Sequence, residues 1–338
     1  MKNKKYLNIF ILLIVSIVVI YIILKDNFVE IIDQIISVNP YWLVFSLILL
    51  IIYWVIKSMI LYIVTKKFDD NYKYKKSLRL QILTQFFNAV TPFAAGGQPF
   101  QIYVLKQDGL TYHKSANVII EQSIIYQISL VLFGIFALTY NYFYHLYPKV
   151  EILQGLVTLG FVINTFVIVV LFLLSYSRKI DHFLLKIGVN ILCAFYLVKN
   201  KEQTMEKWQN HIDTFNEGAK ELTKNKKEFL FLVILSTISL FILYSIPYFI
   251  LCGMGEYGKI GLLATVVSSA YVMLIGNFVP IPGGTGGIEY GFVNFYGVFI
   301  KGAVLPALLL IWRFITYYFG LFFGAVVLSF KGGRKKCE

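Results

Sequence analysis

Two short segments that combine proline with clustered glycine are the parts of this sequence best suited to binding a phosphate. Each contains the pattern Pro-x-x-x-Gly-Gly within an otherwise apolar stretch. Proline removes a backbone donor and glycine admits a positive φ, so each segment is predicted to end one half-helix, turn sharply and begin another. The start of a half-helix offers free N–H groups and the positive end of the helix dipole. The candidate phosphate-binding residues of the two segments are Gly96, Gly97, Pro282, Gly283, Gly284, Gly286 and Gly287.

The matching pattern, which starts at Pro92 and again at Pro282, also suggests an internal repeat. Matching interruptions in the two halves of a polytopic membrane protein are typical of structural repeats around a substrate site near the midplane. A chance match of three positions is the alternative. Glycine can also serve only to bring helices close together, which is the interpretation we favour for Gly320 and Gly324 in the last apolar stretch.

Ionisable residues inside apolar stretches are the second group of candidates, because a charge at mid-bilayer is costly without a partner or water. Arg313 is suited to holding a phosphate through two parallel hydrogen bonds. Glu289 follows the second glycine cluster, where it would orient Arg313 or bind a substrate ammonium; a structural ion pair without any ligand is the alternative. Glu121 is a third candidate. Lys57 is predicted to extend along its helix to the headgroups at the basic end.

The sequence lacks the patterns of the common enzyme and metal sites. Its cysteines and histidines show no metal-ligand spacing, and it contains no P-loop, nucleophile elbow or zinc-protease motif. We therefore expect no metal, no cofactor and no catalytic residue of these classes.

Composition places the candidates in a membrane. Of the 338 residues, 58% are apolar and 14% are charged, against about 45–50% and 25% in soluble domains. This composition excludes a soluble enzyme. The net charge of +13 favours anionic lipid headgroups over nucleic acid as the partner.

The elements that must hold the candidates are membrane helices, each needing about 20 apolar residues to cross a bilayer. Seven stretches qualify, the first as a retained helix rather than a cleaved signal peptide. They are Leu7–Leu24, Tyr41–Val64, Ala116–Tyr140, Leu153–Tyr176, Phe229–Leu251, Ile260–Val279 and Ala303–Phe330.

Two further stretches, Leu78–Leu105 and Pro280–Ile300, are apolar but contain the proline and glycine breaks. Broken backbone is tolerated at membrane depth only where protein or a water-filled cavity surrounds it. The predicted fold is all-α: a polytopic integral membrane protein of about seven transmembrane helices and two re-entrant or half-helix segments, with an inverted repeat as an open alternative.

Lysine and arginine are concentrated in the two termini, in the loop 66–79 and in the segment 178–227. Because positive loops stay inside, we expect a multi-pass protein of the cell membrane with both termini in the cytoplasm. Within 199–228, apolar residues recur at helical spacing, which predicts a cytoplasmic amphipathic insertion that lies on the membrane or packs on another helix or subunit. The apolar residues of this face are Met205, Trp208, Ile212, Phe215, Ala219 and Leu222.

Taken together, these motifs resemble the membrane region of the lysylphosphatidylglycerol synthase/flippase family. The resemblance covers residues 5–330 and rests on Gly-Gly-Gln98-Pro-Phe-Gln101, on Glu121 near the start of a span, on Pro-Gly-Gly-x-Gly-x-x-Glu289 and on Trp-Arg313-Phe-x-Thr-Tyr-Tyr. It implies a single flippase-like membrane domain over 1–338. It also adds Gln98 and Gln101 to the substrate-binding candidates.

What the resemblance implies is movement or modification of anionic phospholipid. Full-length members carry a soluble domain that transfers lysine from lysyl-tRNA to phosphatidylglycerol, and we expect this chain to lack it. The leading hypothesis is translocation of (lysyl-)phosphatidylglycerol or a related lipid between leaflets. The alternatives are lysyltransferase activity, intrinsic or with a separate soluble transferase, and a non-transporting scaffold or sensor. A homo-oligomer is also left open.

Overall fold

The computed structural model of the protein describes residues 27–94, 96–147, 151–176, 186, 189–190, 200–276, 279 and 281–329. All regular secondary structure among these residues is helical, as the sequence predicts. The helices are α1 (Phe28–Ile36), α2 (Pro40–Lys66), α3 (Tyr74–Ala89), α4 (Gly97–Gln107), α5 (Tyr112–Tyr144), α6 (Glu151–Tyr176), α7 (Lys201–Lys224), α8 (Lys226–Gly253), α9 (Leu262–Gly276), α10 (Gly287–Tyr296), α11 (Val304–Arg313) and α12 (Phe319–Ser329).

Four helices are long and apolar enough to cross a membrane. They are α2, α5, α8 and the continuous helix Val304–Ser329, in which a π-helical turn joins α11 to α12. The first three start at a side chain that accepts a hydrogen bond from an N–H of the first turn, namely Asn39, Thr111 and Asn225. Such caps fix where each long helix begins.

The long helices coincide with four of the seven predicted spans, namely Tyr41–Val64, Ala116–Tyr140, Phe229–Leu251 and Ala303–Phe330, and are candidates for membrane crossing by length and composition. The predicted span Leu7–Leu24 lies outside the described residues. Helix α6 coincides with the predicted span Leu153–Tyr176. Its described apolar part, Val157–Val170, is shorter than a bilayer crossing needs, so this span stays a prediction.

The predicted span Ile260–Val279 differs in the structure. Helix α9 ends at Gly276 after 15 residues, which is too short for a bilayer at 1.5 Å per residue. The chain then turns at Pro282–Gly284 and continues as α10, which packs on α9. This span and the broken segment Pro280–Ile300 are therefore two halves of one helix–turn–helix unit. Hydropathy extended the predicted span to Val279 because most residues between Gly276 and Pro282 are apolar.

The first broken segment, Leu78–Leu105, is likewise a helix–turn–helix unit. Helix α3 ends at Ala89, a short turn covers Pro92–Ala94, and α4 begins at Gly97. We call α3, this turn and α4 the first unit, and α9, the turn Pro282–Gly284 and α10 the second unit. The turns of the two units contact each other, so residues far apart in the sequence meet at one place.

Helices α2 and α8, which precede the two units, pack on each other in opposite directions. At one end of the pair the N–H of Asn39 donates to the carbonyl of Gly253 at 2.9 Å. At the other end the Lys67 ammonium lies 2.9 Å from a carboxylate oxygen of Glu228. Each unit packs on a helix from the other half of the chain: α3 contacts α12, and α9 contacts α5.

Two small residues let α12 approach α3 closely. A Cβ atom on Gly324 would lie 2.7 Å from the Cβ of Phe86 and 3.0 Å from the carbonyl oxygen of Ile82. Gly320 also faces α3, with ordinary contact distances. These contacts support the interpretation of Gly320-x-x-x-Gly324 as a packing motif.

Stacked aromatic rings fix α10 against α11. The ring of Phe292 stacks on Tyr296 at 4.2 Å and on Trp312 at 4.9 Å between centroids. The Tyr296 hydroxyl also lies 2.7 Å from the Ser269 hydroxyl of α9. Glu289 lies on the same helix as Phe292 and Tyr296, and Arg313 directly follows Trp312. The aromatic cluster therefore holds these two charged residues next to each other.

The predicted amphipathic helix is α7, which packs on α5 and α6. The sequence predicts that this helix lies on the membrane or packs on another helix or subunit, and the structure shows the packing on other helices. Trp208 on its apolar face stays 42% exposed. The chain termini, and with them the predicted cytoplasmic tails, lie outside the described residues.

Candidate functional site

A cavity of about 200 Å³ lies where the turns of the two units meet. Its wall includes Phe93 and Ala94 from the first turn and Gly283 and Gly284 from the second. The rest of the wall comes from α2, α3, α5, α8, α9, α10, α11, α12 and the π-helical turn, and six of its side chains are aromatic. Those side chains are Tyr53, Trp54, Tyr126, Tyr244, Trp312 and Tyr317.

The two turns have the same backbone conformation. Proline is followed in each by two residues with positive φ: Phe93 (55°) and Ala94 (51°) in the first turn, Gly283 (71°) and Gly284 (63°) in the second. Glycine adopts this conformation without strain, whereas a positive φ costs conformational energy in phenylalanine and alanine. Backbone strain that the surrounding structure maintains is typical of functional sites.

Arg313 is the one charged side chain among the described residues that line the cavity. Its Nε donates to Oε1 of Glu289 at 2.7 Å, and its Nη2 lies 2.6 Å from the same oxygen. Nη2 also donates to the carbonyl of Gly283 at 3.1 Å. Within the described residues Nη1 has no hydrogen-bond partner, so it is the part of the guanidinium with donors left for a ligand.

The residues that follow Arg313 form the π-helical turn Phe314–Tyr318. Such turns are rare and occur frequently at functional sites. The turn places Tyr317 so that its ring lies 4.8 Å from the guanidinium of Arg313. The Tyr317 hydroxyl donates to the carbonyl of Ala89 at 3.0 Å. Tyr317 thereby ties the Arg313 site to the end of α3 in the first unit.

The starts of α4 and α10 carry hydrogen bonds that the sequence did not predict. The N–H of Gly97 donates to the side chain of Asn88 at 3.0 Å, and that of Gly96 to Thr91 at 2.9 Å. The N–H of Gly286 donates to Oε2 of Glu289 at 2.6 Å. Since these three donors are already satisfied, an anion at this site depends on Arg313 more than on the glycine N–H groups.

The other sequence candidates lie around the turns rather than in the cavity wall. Gln98 is exposed, and its amide donates to the Ser123 hydroxyl of α5 at 3.1 Å. Gln101 is buried in α4. Pro282 opens the second turn and is buried, while Gly287 begins α10. The fold thus brings Gly283, Gly284 and Arg313 together at the cavity and leaves Gln98, Gln101, Pro282 and Gly287 outside its wall.

Glu121 belongs to a separate cluster at the end of α2. It is fully buried, and the Lys67 ammonium lies 3.2 Å from Oε2 of Glu121 and 2.9 Å from Glu228. Burial lowers the pKa of Lys67, but the charges of Glu121 and Glu228 outweigh it and hold that pKa above its ordinary value. The cluster joins α2, α5 and α8.

Lys57 does not extend to solvent as predicted. Its side chain is 7% exposed, and its ammonium lies 4.3 Å from the centroid of the Tyr126 ring. Sequence reasoning also missed the tyrosines of the cavity wall. Their signal was present, since Tyr53, Tyr126 and Tyr244 sit inside apolar stretches far from the bilayer interfaces where tyrosine is common.

Two comparisons with known proteins give the relatives of the chain. Residues 8–324 match the family described as the lysylphosphatidylglycerol synthase TM region. A protein of Archaeoglobus fulgidus named UPF0104 membrane protein is 24% identical over 263 residues, which cover 75% of each chain.

Proposed function

Because the chain belongs to the lysylphosphatidylglycerol synthase transmembrane-region family, we propose that it moves an anionic phospholipid between the two leaflets of the cell membrane. The substrate is phosphatidylglycerol, its lysyl derivative or a related lipid. A multi-pass protein with apolar helices and a largely aromatic cavity that holds one buried arginine at its broken segments is suited to this task.

The observation that carries the proposal is the position of Arg313 in a cavity walled by both broken turns. A guanidinium whose Nε and Nη2 are held by Glu289 and Gly283 is fixed in direction before a ligand arrives. The donors of Nη1 then bind a phosphate without further ordering of the side chain.

The size of the cavity fits a headgroup rather than a whole lipid. Ligand pockets for molecules of drug size occupy about 300–1,000 Å³, whereas this cavity has about 200 Å³. We expect the phosphate and glycerol to enter it while the acyl chains stay in the bilayer. The exposed Phe93 in the first turn lies at its edge.

The packing of the helices favours alternating access. The first half consists of α2, the first unit and α5, and the equivalent elements of the second half are α8, the second unit and the helix Val304–Ser329. Each unit packs on the last helix of the other half: α3 on Val304–Ser329, and α9 on α5. The antiparallel course of α2 and α8 is what an inverted repeat requires. In such a repeat, one half rocks against the other around a central site, which here is the contact between the two turns.

Leaflet exchange of a fluorescent phosphatidylglycerol in vesicles containing the purified protein tests the proposal. We expect exchange well above that of empty vesicles, and a drop to the empty-vesicle rate for Arg313→Ala. Arg79→Ala is the matched control, because Arg79 is exposed on α3 and does not line the cavity. Equal rates for the wild type, both variants and empty vesicles would refute transport.

The transferase alternative has a separate test. Incubation of the same vesicles with lysyl-tRNA and phosphatidylglycerol, followed by lipid extraction, shows directly whether a lysyl lipid forms. Formation by the protein alone would replace transport by an enzymatic role, and formation only after a soluble transferase is added would support a split system.

A further inference from the structure

Lys57 is a buried cation inside helix α2, nine residues before the helix ends at Lys66. Its side chain is 7% exposed, and its ammonium rests on the ring of Tyr126 at 4.3 Å. A cation–π contact offsets only part of the cost of removing an ammonium from water. A residue that merely stabilised the fold at this position would be apolar.

No carboxylate neutralises Lys57 within the described residues. The carboxylates that these residues carry inside long helices or beside the cavity are already engaged: Glu121 and Glu228 bind Lys67, and Glu289 binds Arg313. The charge of Lys57 is therefore left for something that is not part of the described protein.

Lys57 is directed along the face of α2 that meets the cavity. Leu50, Tyr53 and Trp54 of that helix line the cavity, and Lys57 follows Tyr53 by four residues and Trp54 by three, which places it on the same face. Tyr126, on which its ammonium rests, is itself part of the cavity wall. The flexible four-carbon stem of lysine allows the ammonium to pass from this ring to a ligand in the cavity.

The net charge around the cavity determines which lipid headgroup it favours. The Arg313–Glu289 pair is neutral as a whole, and Lys57, which contacts the Tyr126 ring of the cavity wall without itself lining the cavity, adds one positive charge beside the site. We infer that Lys57 supplies the counter-charge for the bound phosphate, and that the site selects a net anionic headgroup, such as phosphatidylglycerol, over its lysyl ester. The lysyl ester adds two amines to the single phosphate, and the resulting positive headgroup is repelled by Lys57. This inference rests on the proposed function and narrows its substrate.

Thermal unfolding of the purified full chain in detergent, with added phosphatidylglycerol, lysylphosphatidylglycerol or phosphatidylcholine, measures headgroup selection without transport. For the wild type we expect the unfolding temperature to rise most with phosphatidylglycerol. Lys57→Met should unfold at a higher temperature than the wild type without lipid, because a buried charge is removed. Its apparent affinity for phosphatidylglycerol should fall by at least about tenfold.

Two variants control for charge and for fold. Lys57→Arg keeps the charge and should keep the preference for phosphatidylglycerol. Lys66→Met is the matched control, since Lys66 lies on the same helix with its ammonium over the Tyr62 ring at 5.7 Å but is exposed. It should behave as the wild type. A Lys57→Met protein that is less stable without lipid and still prefers phosphatidylglycerol would overturn the inference, as would a wild type that prefers the lysyl ester.

Failure of this inference is distinguishable from failure of transport. If vesicles exchange lipid but Lys57→Met leaves the headgroup preference of binding unchanged, transport stands and the role of Lys57 is refuted. If binding follows Lys57 as expected but vesicles exchange no lipid, the site selects anionic headgroups for a purpose other than transport.

Discussion

The three nitrogen atoms of the Arg313 guanidinium differ in their partners. Nε and Nη2 bind Glu289 and the Gly283 carbonyl, which holds the group in place, and Nη1, which has no partner among the described residues, is the part that we propose binds the phosphate. Glu289 in turn accepts from the N–H of Gly286 with its second oxygen. The structural ion pair and the binding site, which the sequence offered as alternatives, are therefore compatible in one arrangement.

The stability contributed by Lys67 should depend on pH in one direction. Its pKa is raised by Glu121 and Glu228 in the folded protein, so the folded state holds the proton more tightly than the unfolded state. The contribution is fully present below the ordinary lysine pKa of 10.5 and is lost as the pH rises through the raised value.

Thermal unfolding of the wild type and Lys67→Met between pH 7 and pH 11 in detergent checks this. The wild type should be the more stable protein up to about pH 10.5, and the gap should close above that pH. A gap that is constant across the range, or one that opens with rising pH, would show that the cluster does not act through the charge of Lys67.

At the scale of elements, each unit is two half-helices joined by a proline and two left-handed residues. The second turn uses glycine for both, whereas the first uses Phe93 and Ala94. The sequence pattern located both turns through Pro-x-x-x-Gly-Gly. It did not locate the left-handed residues of the first turn, because only the contacts around that turn make phenylalanine and alanine adopt positive φ.

Alanine substitutions in the second turn should separate backbone strain from loss of contact. Gly286 has a φ of 93° but open space around it, so Gly286→Ala should cost only strain, roughly 1–3 kcal/mol. Gly283 has a φ of 71°, and a Cβ there would lie 2.5 Å from the Tyr317 ring. Gly283→Ala should therefore unfold at a lower temperature than Gly286→Ala and should also lose lipid exchange, because Tyr317 must move.

Gly261→Ala is the neutral reference, since Gly261 has open space and no positive φ. It should match the wild type in both measurements. Equal stability and equal exchange for Gly283→Ala and Gly286→Ala would mean that the contact of Tyr317 with the second turn is not needed.

At the scale of the whole molecule, the antiparallel pair of α2 and α8 defines two ends. One end carries Lys67 with Glu228, next to the basic loop 66–79, and the other carries the contact between Asn39 and Gly253. The positive-inside rule predicts that the first end faces the cytoplasm.

Cysteine labelling in intact cells tests this orientation. In a chain whose native cysteines, Cys193, Cys252 and Cys337, are replaced by serine, Asp70→Cys reports the first end and Tyr257→Cys the second; both positions are exposed. A membrane-impermeant maleimide should label Tyr257→Cys in intact cells and Asp70→Cys only after the cells are opened. The reverse pattern would invert the predicted topology.

The sequence by itself determined the membrane class, four long helices and the position of both breaks, and it identified Glu289 and Arg313 as ionisable residues that need a partner. These follow from local properties: hydropathy over one helix length, the loss of a donor at proline, and the cost of a charge in an apolar stretch. Each is readable from neighbours in the chain.

Only the tertiary structure decided where the chain reverses after α9, which side chains satisfy the N–H groups of Gly96, Gly97 and Gly286, and that Lys57 rests on Tyr126. The same holds for the aromatic wall of the cavity. The physical reason is that each of these depends on groups brought together from different elements. Hydropathy records how apolar a segment is, and it does not record what the segment packs against.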